Sequence, residues 1–255
     1  MNATPQISIV IPVYNQELYL ADTLQCLLKQ TFSNWEAIWI DDASTDGSGA
    51  FLDSFTDPRM RVIHLPQNIG VAQARNSGVR AAKGRYLAFL DADDIWKTEK
   101  LEHQLDFMQS NHCAFSFTDY EFANHEGKGS GKVTSIPKCM TYQEALGNTT
   151  IFTSTVMFDR QKISDRLLQM PQIESEDTAT WWNILRAGYC GYGLQENLTL
   201  YRRPARTRGM KSMSSNKVRA LKRIWMLYRK NEGLSISQSI PYFLRYTVNA
   251  MKRRI

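Results

Sequence analysis

An α/β fold, with a mostly parallel sheet and helices on both faces, is predicted by three features of this sequence. Short apolar runs alternate with helical patterns over the first 120 residues, in the order βαβαβαβαβ. The first of these runs, residues 7–11, is almost entirely β-branched, as a buried strand should be. Polar residues gather at three strand ends, where an open sheet presents its ligand crevice.

The elements follow in order. The strand at 7–11 stops at Pro12, and residues 17–29 form a helix with Leu20, Leu24, Leu27 and Leu28 on one stripe. Residues 35–40 read as a strand, after which Ser44 and Asp46 offer N-cap chemistry for a helix reaching Phe55. A strand at 61–64, a helix at 71–82 stopped by Gly84, a buried strand at 86–90, a helix at 98–109 and a strand at 113–118 complete the alternation. The stretch 124–131 is a hairpin connection to a strand at 132–136. Thr141 and Glu144 match a capping box, and 153–158 is a further strand. Residues 177–186 form an amphipathic helix closed by Gly188, and 198–202 a last strand. Two helical segments, 216–230 and 240–254, end the chain, with Gly233 and Pro241 as punctuation.

Composition narrows the function classes. With 43% apolar and 22% charged residues the chain is neither disordered nor fibrous. Its four cysteines are scattered without a CxxC pair, which argues against a zinc module or a disulfide scaffold. No run of about 18 apolar residues and no leader peptide pattern occurs, so a cytosolic protein with at most peripheral membrane contact is expected. The net charge of +6 hides two halves: residues 1–200 carry −8 and residues 201–255 carry +14. An acidic body therefore bears a basic tail.

The acidic strand ends are where chemistry is expected. Asp91-Ala92-Asp93-Asp94 follows the buried strand at 86–90, and carboxylates two apart at such a turn can converge on one cation. Mg²⁺ or Mn²⁺ is typically held by one or two carboxylates plus substrate phosphates. In Asp41-Asp42-Ala43-Ser44-Thr45-Asp46-Gly47 a carboxylate can accept from a uracil imide or from ribose hydroxyls. No GxxxxGK[ST] or GxGxxG follows any strand, so a nucleotide bound here needs a metal rather than a glycine loop for its phosphates.

Together with Pro12-Val13-Tyr14-Asn15, Asn68-Ile69-Gly70-Val71-Ala72-Gln73-Ala74-Arg75-Asn76 and Gly84-Arg85-Tyr86-Leu87-Ala88-Phe89-Leu90, these motifs stand in the order seen in family 2 inverting glycosyltransferases. The sequence resembles that family over about residues 5–205. The resemblance implies a GT-A fold, with nucleotide binding in 1–112, acceptor binding in 113–205 and a basic amphipathic helical tail in 206–255. It implies that Asp42 meets uracil, that the segment from Pro12 through Tyr14 and Asn15 to Glu17 lies along the nucleotide, and that Arg75 sits near it. Asp91 would face the ribose or the metal, Asp93 would be the principal metal ligand, and Asp94 would support them. The implied activity is sugar transfer from a UDP-sugar, with Mn²⁺ or Mg²⁺ and inversion at the anomeric carbon.

Inversion by single displacement requires a base for the acceptor hydroxyl. Glu174-Ser175-Glu176-Asp177 resembles the family's Glu-Asp motif, which makes Asp177 the expected base and Glu176 its competitor. Tyr201-Arg202-Arg203 also matches, whereas the loop after it has Arg206, Arg208 and Lys211 but no histidine to close a metal site. Arg202 and Arg206 are candidates to hold the diphosphate.

The tail segments carry apolar residues at helical spacing: Val218, Leu221, Ile224, Trp225 and Tyr228, then Ile240, Phe243, Leu244, Val248, Met251 and Ile255. Lysines and arginines flank both stripes, the pattern of a membrane-surface helix. Expected partners are thus a UDP-sugar, a saccharide or lipid-linked acceptor and the anionic inner face of the cell membrane, with no nucleic acid. Two other readings remain open on sequence: a sugar nucleotidyltransferase, which would want a glycine-rich signature where Val13 to Glu17 stand, and a non-catalytic carbohydrate- or membrane-binding module.

Overall fold

A computed structural model describes residues 4–203 and 217–252. The elements are β1 (Ile7–Val13), α1 (Glu17–Leu28), β2 (Trp35–Asp41), α2 (Ser48–Asp53), β3 (Met60–His64), α3 (Val71–Ala81), β4 (Tyr86–Phe89), β5 (Ile95–Trp96) and α4 (Lys100–Ser110). They continue with β6 (Phe115–Ala123), β7 (Gly129–Thr134), β8 (Cys139–Met140), α5 (Tyr142–Leu146), β9 (Met157–Asp159), α6 (Glu176–Arg186), β10 (Gly191–Arg202), α7 (Lys217–Met226) and α8 (Ile236–Lys252).

One sheet runs β3-β2-β1-β4-β9-β6-β10-β5, with β7 added to β6 and β8 to β10. β1, β2, β3 and β4 pair in parallel, and β6 pairs in parallel with β10. Alternate residues of the inner strands feed opposite cores, as the two-residue period requires. Val10, Ile38, Ile40 and Phe89 face one core with α3, α5 and α6; Ile9, Ile11, Trp39 and Leu90 face the other with α1, α2 and α4. Gly78 lets α3 lie directly on β1, since a Cβ there would stand 2.3 Å from Val10.

Several expectations shift. The 153–158 strand is a 3₁₀ turn, Thr153–Thr155, followed by β9, which enters the sheet antiparallel between β4 and β6. A two-residue strand, β5, precedes α4 and pairs antiparallel with β10, so the helix expected from residue 98 starts at Lys100. β10 begins at Gly191 rather than 198, with register shifts that sequence alternation conceals. Ser44 does not cap α2: its Oγ accepts from Asn15 N–H at 3.1 Å, while Asp46 accepts from Ser48 N–H at 2.9 Å. The Thr141–Glu144 capping box is formed in both directions.

The tail joins the body. Ile224, Leu227, Tyr228 and Tyr246 are buried in the same core as Phe89 and Trp181, and Tyr228 stacks on Trp182 at 5.4 Å. Pro241 lies inside α8 instead of starting it. Phe243 parts from the other residues of its stripe and packs against Trp225 at 5.3 Å, so the aromatic side of α8 faces inward. The outer side is an aliphatic ridge of Ile236, Ile240, Leu244, Val248 and Met251, each 46–61% exposed.

Candidate active site

The carboxyl ends of β1, β2, β4 and β10 meet at one edge of the sheet. The loops after β1 and β2 are laced together there: Asn15 accepts from Thr45 N–H at 2.8 Å, Gln16 N–H donates to Ser48 at 2.9 Å, and Glu17 accepts from Gly47 N–H at 3.1 Å. Asn15 takes a left-handed φ of 53°, which asparagine tolerates, to make this turn. The lacing leaves the Tyr14 ring 46% exposed beside half-buried Pro12.

Asp42 is buried and accepts from the backbone N–H groups of Ile69 and Gly70, at 2.8 and 2.9 Å. It thereby holds the entry to α3, which Gly70 reaches with a φ of 84°. Its neighbour Asp41 accepts from Ser44 N–H at 3.0 Å and pairs with His64 at 2.8 Å. Burial would raise the Asp41 pKa, but the hydrogen bonds from Ser44 and His64 outweigh it and hold the carboxyl below its ordinary value.

From the second turn of α3, Arg75 reaches two motifs at once. Its guanidinium donates to Asp91 at 2.6 Å and to Glu176 at 2.7 Å while only 5% exposed. Burial alone would favour the neutral form, yet Asp91 and Glu176 raise its pKa, so it is a fixed cation. Its Nε has no partner among the described residues. Residues far apart in sequence are thus locked together by one side chain.

The acidic turn itself is pinned from three sides. Asp91 N–H donates to Ser154 at 3.1 Å, Thr23 donates to the Ala92 carbonyl at 2.7 Å, and Asp94 accepts from Ser154 at 2.6 Å and from Arg202 N–H at 3.0 Å. Asp94 is fully buried, and burial, then Asp93 and Asp91, push its pKa well up. It is a structural member of the turn. Asp93 is half-buried, and burial followed by the charge of Asp91 pushes its pKa up to about 6. Crowded carboxylates of this kind are an environment that a divalent cation relieves. Among the described residues no three Asp, Glu, His or Cys side chains are grouped to chelate a metal.

Asp177 stands at the start of α6, which Ser175 enters in a left-handed conformation, φ 61°. Thr153 donates to its Oδ2 at 3.1 Å and Thr178 N–H to its Oδ1 at 2.6 Å. Glu176 is buried, and burial and then Asp177 raise its pKa against the pull of Arg75. Arg202 is 1% exposed and donates to Asp22 at 2.9 Å, under the Tyr19 ring. Arg206, Arg208 and Lys211 lie outside the described residues. Sequence reading missed Thr153 and Ser154, which looked like the first positions of a strand, and Asp22, which carried no motif at all.

The first 168 residues settle the family. A model described as glycosyl transferase family 2 matches residues 8–168. The chain belongs to glycosyl transferase family 2. This glycosyltransferase is 41% identical to TuaG of Bacillus subtilis (strain 168), assigned as a teichuronic acid biosynthesis glycosyltransferase, over 100% of this chain and 99% of that protein. It is 33% identical to WfgD of Escherichia coli, named a UDP-Glc:α-D-GlcNAc-diphosphoundecaprenol β-1,3-glucosyltransferase, over 97% of this chain and 94% of that one. Residues 1–349 of Staphylococcus aureus TarS, crystallised with UDP-GlcNAc, share the fold at a TM-score of 0.70 and 18% identity, covering 95% of this chain and 71% of that one. The mannosyltransferase PcManGT of Pyrobaculum calidifontis, with GDP-Man and Mn²⁺, does so at 0.69 and 16% identity, covering 96% and 69%. The glycosyltransferase therefore has the GT-A architecture expected of its motifs.

Proposed function

We propose that this glycosyltransferase moves a sugar from a UDP-sugar, with inversion and with Mn²⁺ or Mg²⁺, to a hydroxyl of a saccharide or lipid-linked saccharide in surface polysaccharide synthesis. The observation that carries this reading is the Arg75 bridge, because it couples the donor-side carboxylate Asp91 to the Glu176-Asp177 pair. The UDP-glucose and diphosphoundecaprenol saccharide in the names of two E. coli relatives, and the UDP-GlcNAc bound by TarS, support the donor and acceptor classes.

In this reading Tyr14 lies against uracil, with Pro12 beside it, while Asn15 and Glu17 keep the loop in shape. Asp42 binds the uracil imide with lone pairs left after its two backbone contacts, since a carboxylate offers about four acceptor sites. Asp93, together with Asp91, would hold the cation. When bound, that cation offsets the charge growing on the departing diphosphate. Arg202 and Arg206 are secondary candidates for the same anion. Asp177 takes the proton of the acceptor hydroxyl, held in position by Thr153 and Thr178. Glu176 is excluded from that task because Arg75 occupies it.

Hydrolysis of a panel of UDP- and GDP-sugars with and without Mn²⁺ tests the donor side without any acceptor. Metal-dependent turnover of one UDP-sugar, abolished in Asp93→Ala, is expected; metal-independent turnover, or an unaffected variant, overturns the assignment.

The same proposal extends to place. Among the described residues no helix is long and apolar enough to cross a membrane. The aliphatic ridge of α8, with exposed Arg245 and Lys252 beside it, supports reversible docking on the anionic cytoplasmic leaflet. Because the inner side of these helices is core, removing the tail would strip that core of its cover, and substitutions on the ridge are the proper test. Ile240→Asp with Leu244→Asp is expected to abolish sedimentation with phosphatidylglycerol vesicles while leaving UDP binding intact; equal sedimentation of variant and wild type removes docking from the proposal.

A further inference from the structure

Four neighbouring aromatic rings belong to neither core. Tyr120 and Phe122 on β6, Phe152 before the 3₁₀ turn, and Tyr201 on β10 form a continuous cluster outside both buried groups. Phe152 and Tyr201 lie 4.4 Å apart, Tyr120 and Phe152 5.3 Å, and Phe122 and Tyr201 5.6 Å. Parallel pairing of Tyr201 with Phe122, and of Thr199 with Tyr120, puts the strand residues on one face of the sheet. Tyr120 is buried beneath, while Phe122, Phe152 and Tyr201 are each partly open to solvent.

The cluster's position is informative. Phe152 immediately precedes Thr153, whose hydroxyl holds Asp177, and Tyr201 immediately precedes Arg202, whose N–H holds Asp94. Phe152 is thus one residue from the side chain that holds the candidate base, and Tyr201 one residue from the amide that holds the acidic turn. The donor's charged diphosphate is provided for, in the proposed reading, by the cation that Asp91 and Asp93 would hold, so these apolar faces suit the other reactant. A pyranose has one face of C–H groups, which the negative face of an aromatic ring attracts, and a rim of hydroxyls. At the edge of the cluster exposed Arg203 lies over Phe122 at 4.1 Å and offers donors to such a rim.

We propose that Phe152 and Tyr201, backed by Tyr120 and Phe122, form the platform on which the acceptor's pyranose ring stacks, with its nucleophilic hydroxyl turned to Asp177. The inference rests on the transferase reading, and the experiment separates the two. Saturation-transfer NMR is run on the full chain with UDP and Mn²⁺, using the methyl glycosides of glucose, galactose and N-acetylglucosamine as probes. Transfer to at least one glycoside is expected from the wild type. Phe152→Leu and Tyr201→Leu keep apolar volume but remove the ring face, and should weaken glycoside binding at least about tenfold at unchanged UDP affinity. The ring-retaining Phe152→Tyr and Tyr201→Phe should bind as the wild type does. Absence of glycoside transfer in the wild type, leucine variants that bind normally, or ring-retaining variants that do not bind, each overturn the platform. Failure of the wild type to bind UDP, read in the same tubes, counts against the donor reading instead.

Discussion

The proposed donor side and the proposed acceptor side of the site are built on different plans. On the donor side, whole motifs act as units: residues 15–17 are laced to 44–48, and Asp42 grips 69 and 70, all through hydrogen bonds from backbone amides to side-chain oxygens at the ends of adjacent parallel strands. On the acceptor side, single residues from β6, the 3₁₀ turn, α6 and β10 are brought together across an antiparallel insertion. The first plan tolerates little variation, because many amides depend on each carboxylate. The second can exchange one side chain without disturbing the sheet, as suits a surface that must match one acceptor among many.

The largest effect is expected where the two plans meet. Asp177→Asn removes the proposed base and keeps the shape, so transfer should fall about a thousandfold, within the usual span for general-base catalysis, at unchanged UDP affinity. Parallel measurement of sugar transfer and UDP titration checks this, and wild-type turnover in the variant would falsify the base. Next comes the bridge itself. Arg75→Met leaves Asp91 and buried Glu176 without their cation and should destabilise the protein by about 3–5 kcal/mol in urea unfolding. A loss below about 1 kcal/mol would mean that the two sides are not coupled through this residue.

The smallest effect belongs to the donor-side periphery. His64 pairs with Asp41 and Asp53 on a half-exposed edge, and the hydrogen bond to Asp41, against burial and helped by Asp53, raises its pKa. A raised histidine contributes stability in full below its unfolded pKa and loses it as pH rises through the folded one. Stability should therefore decline slightly, by less than about 1 kcal/mol, from the mid-sixes upward. His64→Gln should flatten that slope in thermal melts across pH 6 to 8; an unchanged slope would assign the decline to another group.

Legibility in the sequence followed the same divide. Asp41, Asp42, Asp91, Asp93 and Asp94 could be picked out because a chain leaving a strand keeps sequence neighbours close in space. Asp94 was then found holding β10 and the 3₁₀ turn, a task visible only once Ser154 and Arg202 had been placed beside it. The aromatic cluster was not legible at all, since Phe152 and Tyr201 are 49 positions apart in the numbering and touch through a strand order that no local pattern encodes. In the tail, periodicity correctly marked two amphipathic helices but mixed their inner and outer faces, because aromatic and aliphatic residues count alike in an apolar stripe.

By itself the sequence determined the alternating α/β elements, the acidic strand ends, the family and the basic tail, because propensity, periodicity and motif spacing are local properties of a chain. Only the tertiary structure decided that Glu176 serves Arg75 while Asp177 stays with Thr153, and that α8 presents aliphatic residues outward over an aromatic inner face. Those decisions turn on which distant group satisfies a buried charge or covers a ring, and burial is a property of the packed molecule.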